Sequence, residues 1–183
     1  MKAYMRQYFR IGCWLVLAIC VSFIGINIVD ADKVKAAEPD RITFYGAVTS
    51  SISSSVAVPA AQAYLWTSGT VPPVINPDAT AGTRDRYGDT KTQAIGIIKQ
   101  LDTVLQQGGL SLADVIYLRA YLVADPALNN QVDFQGWFDA YAQFFNTRVT
   151  PKTARSTVAV TRLVDPGWLI EVEAFAIYPK NNK

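Results

Sequence analysis

The chain has 183 residues, half of them apolar, with 17 basic and 15 acidic side chains and no histidine. Its two cysteines, Cys13 and Cys20, both lie in an apolar N-terminal segment. Outside that segment, these counts exclude disulfides, metals ligated by Cys or His, thiol nucleophiles and every His-based triad. Chemistry must therefore use Arg, Lys, Asp, Glu, Tyr, Ser, Thr and backbone amides.

The N-terminal segment is typical of an export signal. Three basic side chains precede a continuously apolar run over residues 11–29, as in a secretory signal peptide. The run is close to the roughly 20 residues that span a bilayer, so an uncleaved membrane anchor stays open. Small residues permit cleavage after Ala31 or Ala36. We predict a signal peptide or membrane anchor over residues 1–36, one domain over residues 37–183, and a periplasmic or extracellular location.

Charge in the predicted domain is balanced. Cleavage after Ala36 would leave 12 basic and 13 acidic residues, without a basic stripe. We therefore expect no nucleic-acid partner. We expect membrane contact only if the N-terminal segment is not cleaved.

The first predicted elements are two short strands, at residues 41–45 and 62–67. Ser68 and Gly69 end the second strand, and a loop rich in proline and glycine follows over residues 71–88.

A helix is predicted next. Asp89 or Thr90 caps its N-terminus, with Gln93 in the capping-box position. Gly108-Gly109 ends it, as expected for a helix C-terminus. Helical spacing assigns its clearest apolar face to three residues: Ile95, Ile98 and Leu105.

The second half of the domain predicts a strand, a helix and two strands. Residues 115–123 are apolar enough for a central strand. Residues 134–145 place six aromatic side chains at helical intervals, and we interpret them as core rather than as a ligand wall. Residues 156–160 and 168–177 are the last two strands. This order predicts an α+β fold with two helices covering one face of a mixed sheet.

The last strand places Glu171 and Glu173 on one face and apolar residues on the other. Two glutamates on a solvated sheet face would be ordinary. Alternatively, one carboxylate faces a cleft, where desolvation raises its pKa towards a general acid or base role.

Arg155 lies at the entrance of the strand before, with no acidic residue beside it in sequence. It is either a solvated loop charge or directed at an anion, because a guanidinium grips a carboxylate at two points. Arg155 together with Glu171 would suit a small carboxylic acid that undergoes a proton-linked step.

Several blocks carry a family resemblance. They are T-S-G-x-x-P at 67–72, G-x-S-L-A-D-V at 109–115, F-x-x-W-F-x-A-Y-A-Q-F-F at 134–145, A-R-S-T-V-A-V at 154–160 and L-I-E-V-E-A-F-A at 169–176. In this order and spacing they resemble the RidA/YjgF family of reactive-intermediate deaminases.

The resemblance implies a chorismate-mutase-like fold and a homotrimer with ligand clefts between subunits. Active members hydrolyse enamine and imine acids, such as 2-aminoacrylate, to 2-keto acids and ammonia without a cofactor or metal. The small 2-imino or 2-keto acid would be bound by Arg155 through its carboxylate, and Glu171 would position water. Ser68 and Gly69 would contribute wall and backbone contacts, and a backbone amide near Ser156 or Thr157 would assist.

The chain also departs from the family pattern. The family's G-P-Y-S-Q, whose tyrosine lines the cleft, is replaced by Ser53-Ser54-Ser55-Val56-Ala57. The glutamine after T-S-G is Thr70, and an asparagine of the second helix is Trp137 or Phe138. The alternative hypothesis is therefore a ligand-binding or protein-interaction member of the same fold without deaminase activity.

Overall fold

The computed structural model of the chain describes residues 38–179. The predicted signal or anchor over residues 1–36 lies outside them, so its boundary with the domain stays a prediction. Within residues 38–179, no helix is both long and apolar enough to cross a membrane. The helices and strands in chain order are β1 Thr43–Tyr45, β2 Ser55–Ala57, β3 Tyr64–Trp66, α1 Arg84–Tyr87, α2 Thr90–Gln107, β4 Val115–Leu122, β5 Ala124–Asp125, β6 Gln131–Val132, α3 Phe134–Phe144, β7 Ala154–Ala159 and β8 Ile170–Ile177.

A four-stranded mixed sheet forms the centre of the fold, in the order β3-β8-β4-β7. Strand β8 is antiparallel to both β3 and β4, whereas β7 runs parallel to β4. The pairs β1-β2 and β5-β6 form two smaller antiparallel sheets. The predicted α+β fold with a mixed sheet is confirmed.

Helices α2 and α3 pack against each other and cover one face of the sheet. Trp137, Tyr141 and Phe145 are buried there and belong to the core, as predicted. Phe138 and Phe144 are only partly buried, and Phe134 is exposed, so the prediction does not hold for all six aromatic residues. The prediction for α2 was partly wrong: Ile97 is completely buried, whereas Ile95 is only partly so. Because α2 contacts both α3 and the sheet, its apolar stripe is wider than the predicted one.

The two faces of the sheet differ in burial, because successive side chains of a strand point to opposite faces. On the helix-covered face, alternate residues of β4 and β8 are buried, among them Leu118, Ala120 and Val172. We call the other face the open face. Its side chains on these two strands are half-buried: Tyr117, Arg119, Tyr121, Glu171, Glu173 and Phe175.

The loop predicted over residues 71–88 contains the short helix α1, which the sequence analysis missed. Its Arg84 donates from Nε to the fully buried carboxylate of Asp125 at 2.8 Å. This ion pair connects the loop to β5 and is one of the contacts that give this segment, rich in proline and glycine, a defined structure.

Strand β7 begins two residues earlier than predicted, at Ala154. Arg155 therefore lies within the strand and not at its entrance. Its pairing with β4 fixes the direction of its side chain.

Candidate functional site

Arg155 lies on β7 with its guanidinium against three aromatic rings of α3. Its Cζ atom is 4.4 Å from the ring centroid of Tyr141, 4.5 Å from that of Phe138 and 5.6 Å from that of Trp137. A cation held over aromatic faces at these distances is stabilised by about 0.5–2 kcal/mol. The rings therefore orient the guanidinium without an acidic partner.

The guanidinium of Arg155 is poorly solvated and unpaired. Its Nη1 atom is buried without a hydrogen-bond partner, and none of the ion pairs among residues 38–179 includes Arg155. Burial lowers the pKa of Arg155 from its ordinary value, but a guanidinium stays charged at neutral pH. Because a buried charge without a counter-ion is costly, an anion bound here would recover free energy.

Helix α3 also fixes β7 on both sides of Arg155. The backbone N–H of Thr153 donates to the hydroxyl of Tyr141 at 3.0 Å. The indole Nε1 of Trp137 donates to the hydroxyl of Thr157 at 3.1 Å. Tyr141 and Trp137, whose rings contact the guanidinium, thus bind the chain at Thr153 and Thr157, two residues before and two residues after Arg155.

Glu171 lies on the open face, against Gly69. A Cβ atom at position 69 would stand 2.7 Å from Cδ of Glu171, so a larger residue there would displace the carboxylate from its present position. Burial, and then the negative charge of Glu173, raise the pKa of Glu171 above its ordinary value. Among the described residues, no side-chain hydrogen bond or ion pair includes Glu171, which leaves its carboxylate available to a ligand or to water.

Glu173 has a different environment, although it is two residues away on the same face. Arg119 donates to it at 3.0 Å, and the hydroxyl of Tyr121 lies 3.4 Å from its other oxygen. Glu173 is therefore held in an ion pair, and Glu171 is the better candidate for proton transfer.

A cavity of about 520 Å³ opens beside Glu171. Its other lining residues, Arg162, Leu163 and Val164, belong to the connection between β7 and β8. The cavity is large enough for a small organic acid.

Arg155 and Glu171 lie on opposite faces of the sheet. Arg155 is paired with Leu118 and Glu171 with Tyr121, both on β4. Paired residues share a face, and Leu118 and Tyr121, three residues apart, point in opposite directions. One chain therefore does not bring the two predicted catalytic side chains into one pocket.

The other predicted site residues divide in the same way. Thr157 lies on the side of Arg155, where Trp137 binds it, whereas the hydroxyl of Ser156 accepts a hydrogen bond at 2.6 Å from Tyr117 on the open face. Gly69 is beside Glu171, and the preceding Ser68 is exposed. The candidate site thus consists of an arginine half and a glutamate half.

Sequence reasoning missed Arg162 and the contact of the α3 rings with Arg155. The spacing of four between Trp137 and Tyr141 placed both on one helix face, but nothing in it named Arg155 as their partner. In the part of the chain that the structure describes, no cluster of three His, Cys, Asp or Glu side chains is placed to hold a metal ion.

Known proteins resemble this chain in sequence and fold. The profile of the family described as Endoribonuclease L-PSP matches residues 49–178. A RutC family protein of Pyrococcus horikoshii is 35% identical over 89 residues, which are 49% of this chain and 63% of that relative. One of Pyrococcus abyssi is 36% identical over 89 residues, 49% of this chain and 62% of the relative. The chain thus matches less than two thirds of these relatives' length.

A solved structure shares the fold. The crystal structure of a Yersinia pestis protein of unknown function, from the conserved Rid protein family, superposes with a TM-score of 0.54 at 26% identity. The superposition covers 77% of this chain and 96% of that one.

Proposed function

Because the chain belongs to the Endoribonuclease L-PSP family, also named RidA/YjgF, we propose that it hydrolyses 2-imino and enamine acids. The products are a 2-keto acid and ammonia, and no cofactor takes part. Water adds to the carbon of the N-protonated imine, and the π electron pair of the C=N bond moves to nitrogen. The C–N bond of the adduct then breaks with ammonia as the leaving group, and the adduct's hydroxyl forms the C=O bond as it loses its proton to the released ammonia.

The observation that carries this proposal is the unpaired guanidinium of Arg155. It is a preoriented cation on an aromatic surface, with one buried nitrogen that has no partner. A carboxylate accepts two parallel hydrogen bonds from such a fork. Arg155 would hold the carboxylate of the substrate, with a backbone amide near Ser156 or Thr157 beside it.

Glu171 would handle the protons. Its carboxylate accepts a proton from the attacking water and returns it to the amino nitrogen before ammonia leaves. The pKa of Glu171, raised by burial and by Glu173, makes it a better base than an ordinary glutamate. Such imines already react with water, so positioning that lowers the barrier by roughly a few kcal/mol is sufficient.

Two copies of the chain would complete each site. The opposite placement of Arg155 and Glu171 supports a site in which each residue comes from a different subunit of a homotrimer. The open face supports such an assembly, because Trp66, Phe175 and Tyr117 form a row of ring contacts across β3, β8 and β4. Trp66 is 70% exposed in the single chain, and a large exposed apolar surface marks an interface.

Imine hydrolysis by the purified chain tests the proposal. An amino-acid oxidase supplies imines, and wild type is compared with Arg155→Ala and, as a control of equal charge change, with Arg148→Ala in an exposed turn. We expect kcat/KM to fall about 10- to 100-fold for Arg155→Ala, the loss of a charge-assisted hydrogen-bond pair. Full activity of Arg155→Ala would contradict the role of this residue.

A second candidate function is ligand binding without turnover. The replacement of the family tyrosine favours it, because Ser53 is buried and donates to the backbone oxygen of Lys152 at 2.7 Å, leaving no aromatic hydroxyl in this segment. Saturable keto-acid binding by an inert wild type would select this candidate. Turnover that depends on Arg155 would reject it.

The described residues offer little support for RNA cleavage, the activity that the family description names. Three of the basic side chains, Arg84, Lys91 and Arg119, are already paired with carboxylates, and a nucleic-acid site needs a basic surface.

We also propose that the protein is exported, and the basic and apolar N-terminal sequence supports this. The intact mass of the protein recovered from the cell envelope or the medium tests it. A mass that corresponds to a chain starting near Ala37 indicates a cleaved signal. The mass of the full-length chain, recovered in the membrane fraction, indicates an uncleaved anchor.

A further inference from the structure

The cavity beside Glu171 is also lined by a second arginine, Arg162. Arg162 is exposed, and the ion pairs among residues 38–179 do not include it. The proposed reaction assigns it no role, since Arg155 holds the carboxylate and Glu171 handles the protons. A cation that lines the same cavity as a carboxylate without pairing to it leaves room for a ligand between the two.

The walls of this cavity combine charge with apolar surface. Leu163 and Val164 line it next to Arg162, and Val164 is 91% exposed in the single chain. Side chains of this kind contact methylene groups, and the guanidinium at one end binds an anion. A ligand that fits has a short apolar chain ending in a negative charge.

The charges of the whole site agree with such a ligand. Arg155 and Arg162 provide two cations, and Glu171 provides one anion. A dicarboxylic imino acid with a protonated imine carries the opposite set: two carboxylates and one cation. A monocarboxylic substrate would match only one of the two arginines.

We propose that Arg162 is a specificity-determining residue that binds a second carboxylate, so that the substrates are dicarboxylic 2-imino acids and the products dicarboxylic 2-keto acids. The carboxylate next to the imine is bound by Arg155, and Leu163 and Val164 contact the chain between the two carboxylates. The inference rests on the two-copy site of the proposed function, but the binding of the ligand does not require that an imine is hydrolysed.

The kinetic test compares imines generated from glutamate with those generated from norvaline, which lacks the second carboxylate at similar length. For Arg162→Met, we expect kcat/KM to fall about 10- to 100-fold with the glutamate-derived imine and to stay within about twofold with the other. Arg162→Lys, which keeps the charge without the fork, should recover part of the loss. Arg148→Met serves as the control.

An equal loss with both imines would overturn the proposal, because Arg162 would then act through Glu171 or through the fold. No loss with either imine would overturn it as well.

A binding test separates this inference from the proposed function. Calorimetry compares 2-oxoglutarate with 2-oxopentanoate on wild type and on Arg162→Met. Preference of wild type for 2-oxoglutarate, lost in Arg162→Met, supports the inference even if no imine is hydrolysed. If wild type hydrolyses imines but binds both keto acids equally, the proposed function stands and this inference is wrong.

Discussion

Glu171 and Glu173 show how two identical side chains on one strand face acquire different chemistry. Glu173 is bound by Arg119, whereas Glu171 lies against Gly69 and forms no ion pair with any of the described residues. The alternation of β8 predicted their common face. It did not predict which glutamate is paired, because Arg119 comes from a different strand.

Removing the charge of Glu173 should shift the pH profile of the reaction. Protonated Glu171 cannot accept a proton from water, so kcat/KM falls as the pH drops through its pKa. The negative charge of Glu173 raises that pKa, and Glu173→Gln removes this charge and frees Arg119. Both effects lower the pKa, so we expect the acid limb of the kcat/KM profile to move to lower pH.

Asp139→Asn is the matched control, because it also removes a carboxylate from an ion pair, with Lys91, but on α3. Its profile should match that of wild type. An acid limb that stays in place or moves to higher pH in Glu173→Gln would show that Glu171 is not the titrating group.

At the scale of elements, α3 and β7 act as one unit around Arg155. Tyr141 combines three contacts: its ring stacks against Phe145, its face holds the guanidinium, and its hydroxyl accepts from the backbone of Thr153. The helix that supports the core therefore also supports the arginine half of the site.

Tyr141→Phe should destabilise the fold, because it leaves the buried N–H of Thr153 without an acceptor. We expect the free energy of unfolding to drop by about 1–3 kcal/mol, measured by urea denaturation. Tyr121→Phe is the control, since its hydroxyl makes a long contact on the half-buried open face. Equal losses in the two variants would contradict the structural role of the Tyr141 hydroxyl.

Local patterns predicted most of the elements. The capping residues and glycines of α2, the aromatic spacing of α3 and the alternation of β8 all act within a few residues. Helix α1 was missed because the long-range ion pair between Arg84 and Asp125 stabilises it. The predicted start of β7 was two residues too late, because pairing with β4, and not the sequence of β7 itself, extends the strand to Ala154.

At the scale of the molecule, the sequence predicted Arg155 and Glu171 as site residues but did not predict on which face of the sheet each of them lies. Strand β4 lies between β7 and β8, and the pairing register directs the two side chains to opposite faces. Strand order depends on contacts between distant segments, which no local pattern contains. The separation is the strongest structural argument that the site needs two copies.

Trimers that contain two different variants test whether Arg155 and Glu171 of one site come from different subunits. Arg155→Ala and Glu171→Gln should each be nearly inactive, but coexpression should place an intact arginine half next to an intact glutamate half. For random trimers with sites between subunits, about a quarter of the sites are complete, so roughly a quarter of wild-type activity should return. Coexpressed protein no more active than the single variants would contradict sites between subunits.

The assembly itself should depend on the open face. Trp66→Glu places a charge in the row of aromatic rings, and we expect sedimentation to show monomers and imine hydrolysis to be lost. Val149→Glu, at an 80% exposed position in a turn outside the sheet, should leave the assembly unchanged. A monomeric wild type at working concentrations would refute the proposed trimer.

The two halves of the proposed site respond differently to a fall in pH. Arg155 keeps its charge as the pH falls, whereas Glu171, whose pKa is raised by burial and by Glu173, takes up a proton at a higher pH than an ordinary glutamate does. In the proposed site, protonation of Glu171 would therefore stop turnover, whereas Arg155 would still bind the carboxylate of the ligand. The same protein would act as a catalyst while Glu171 is charged and would bind its organic acid without turnover once Glu171 is protonated.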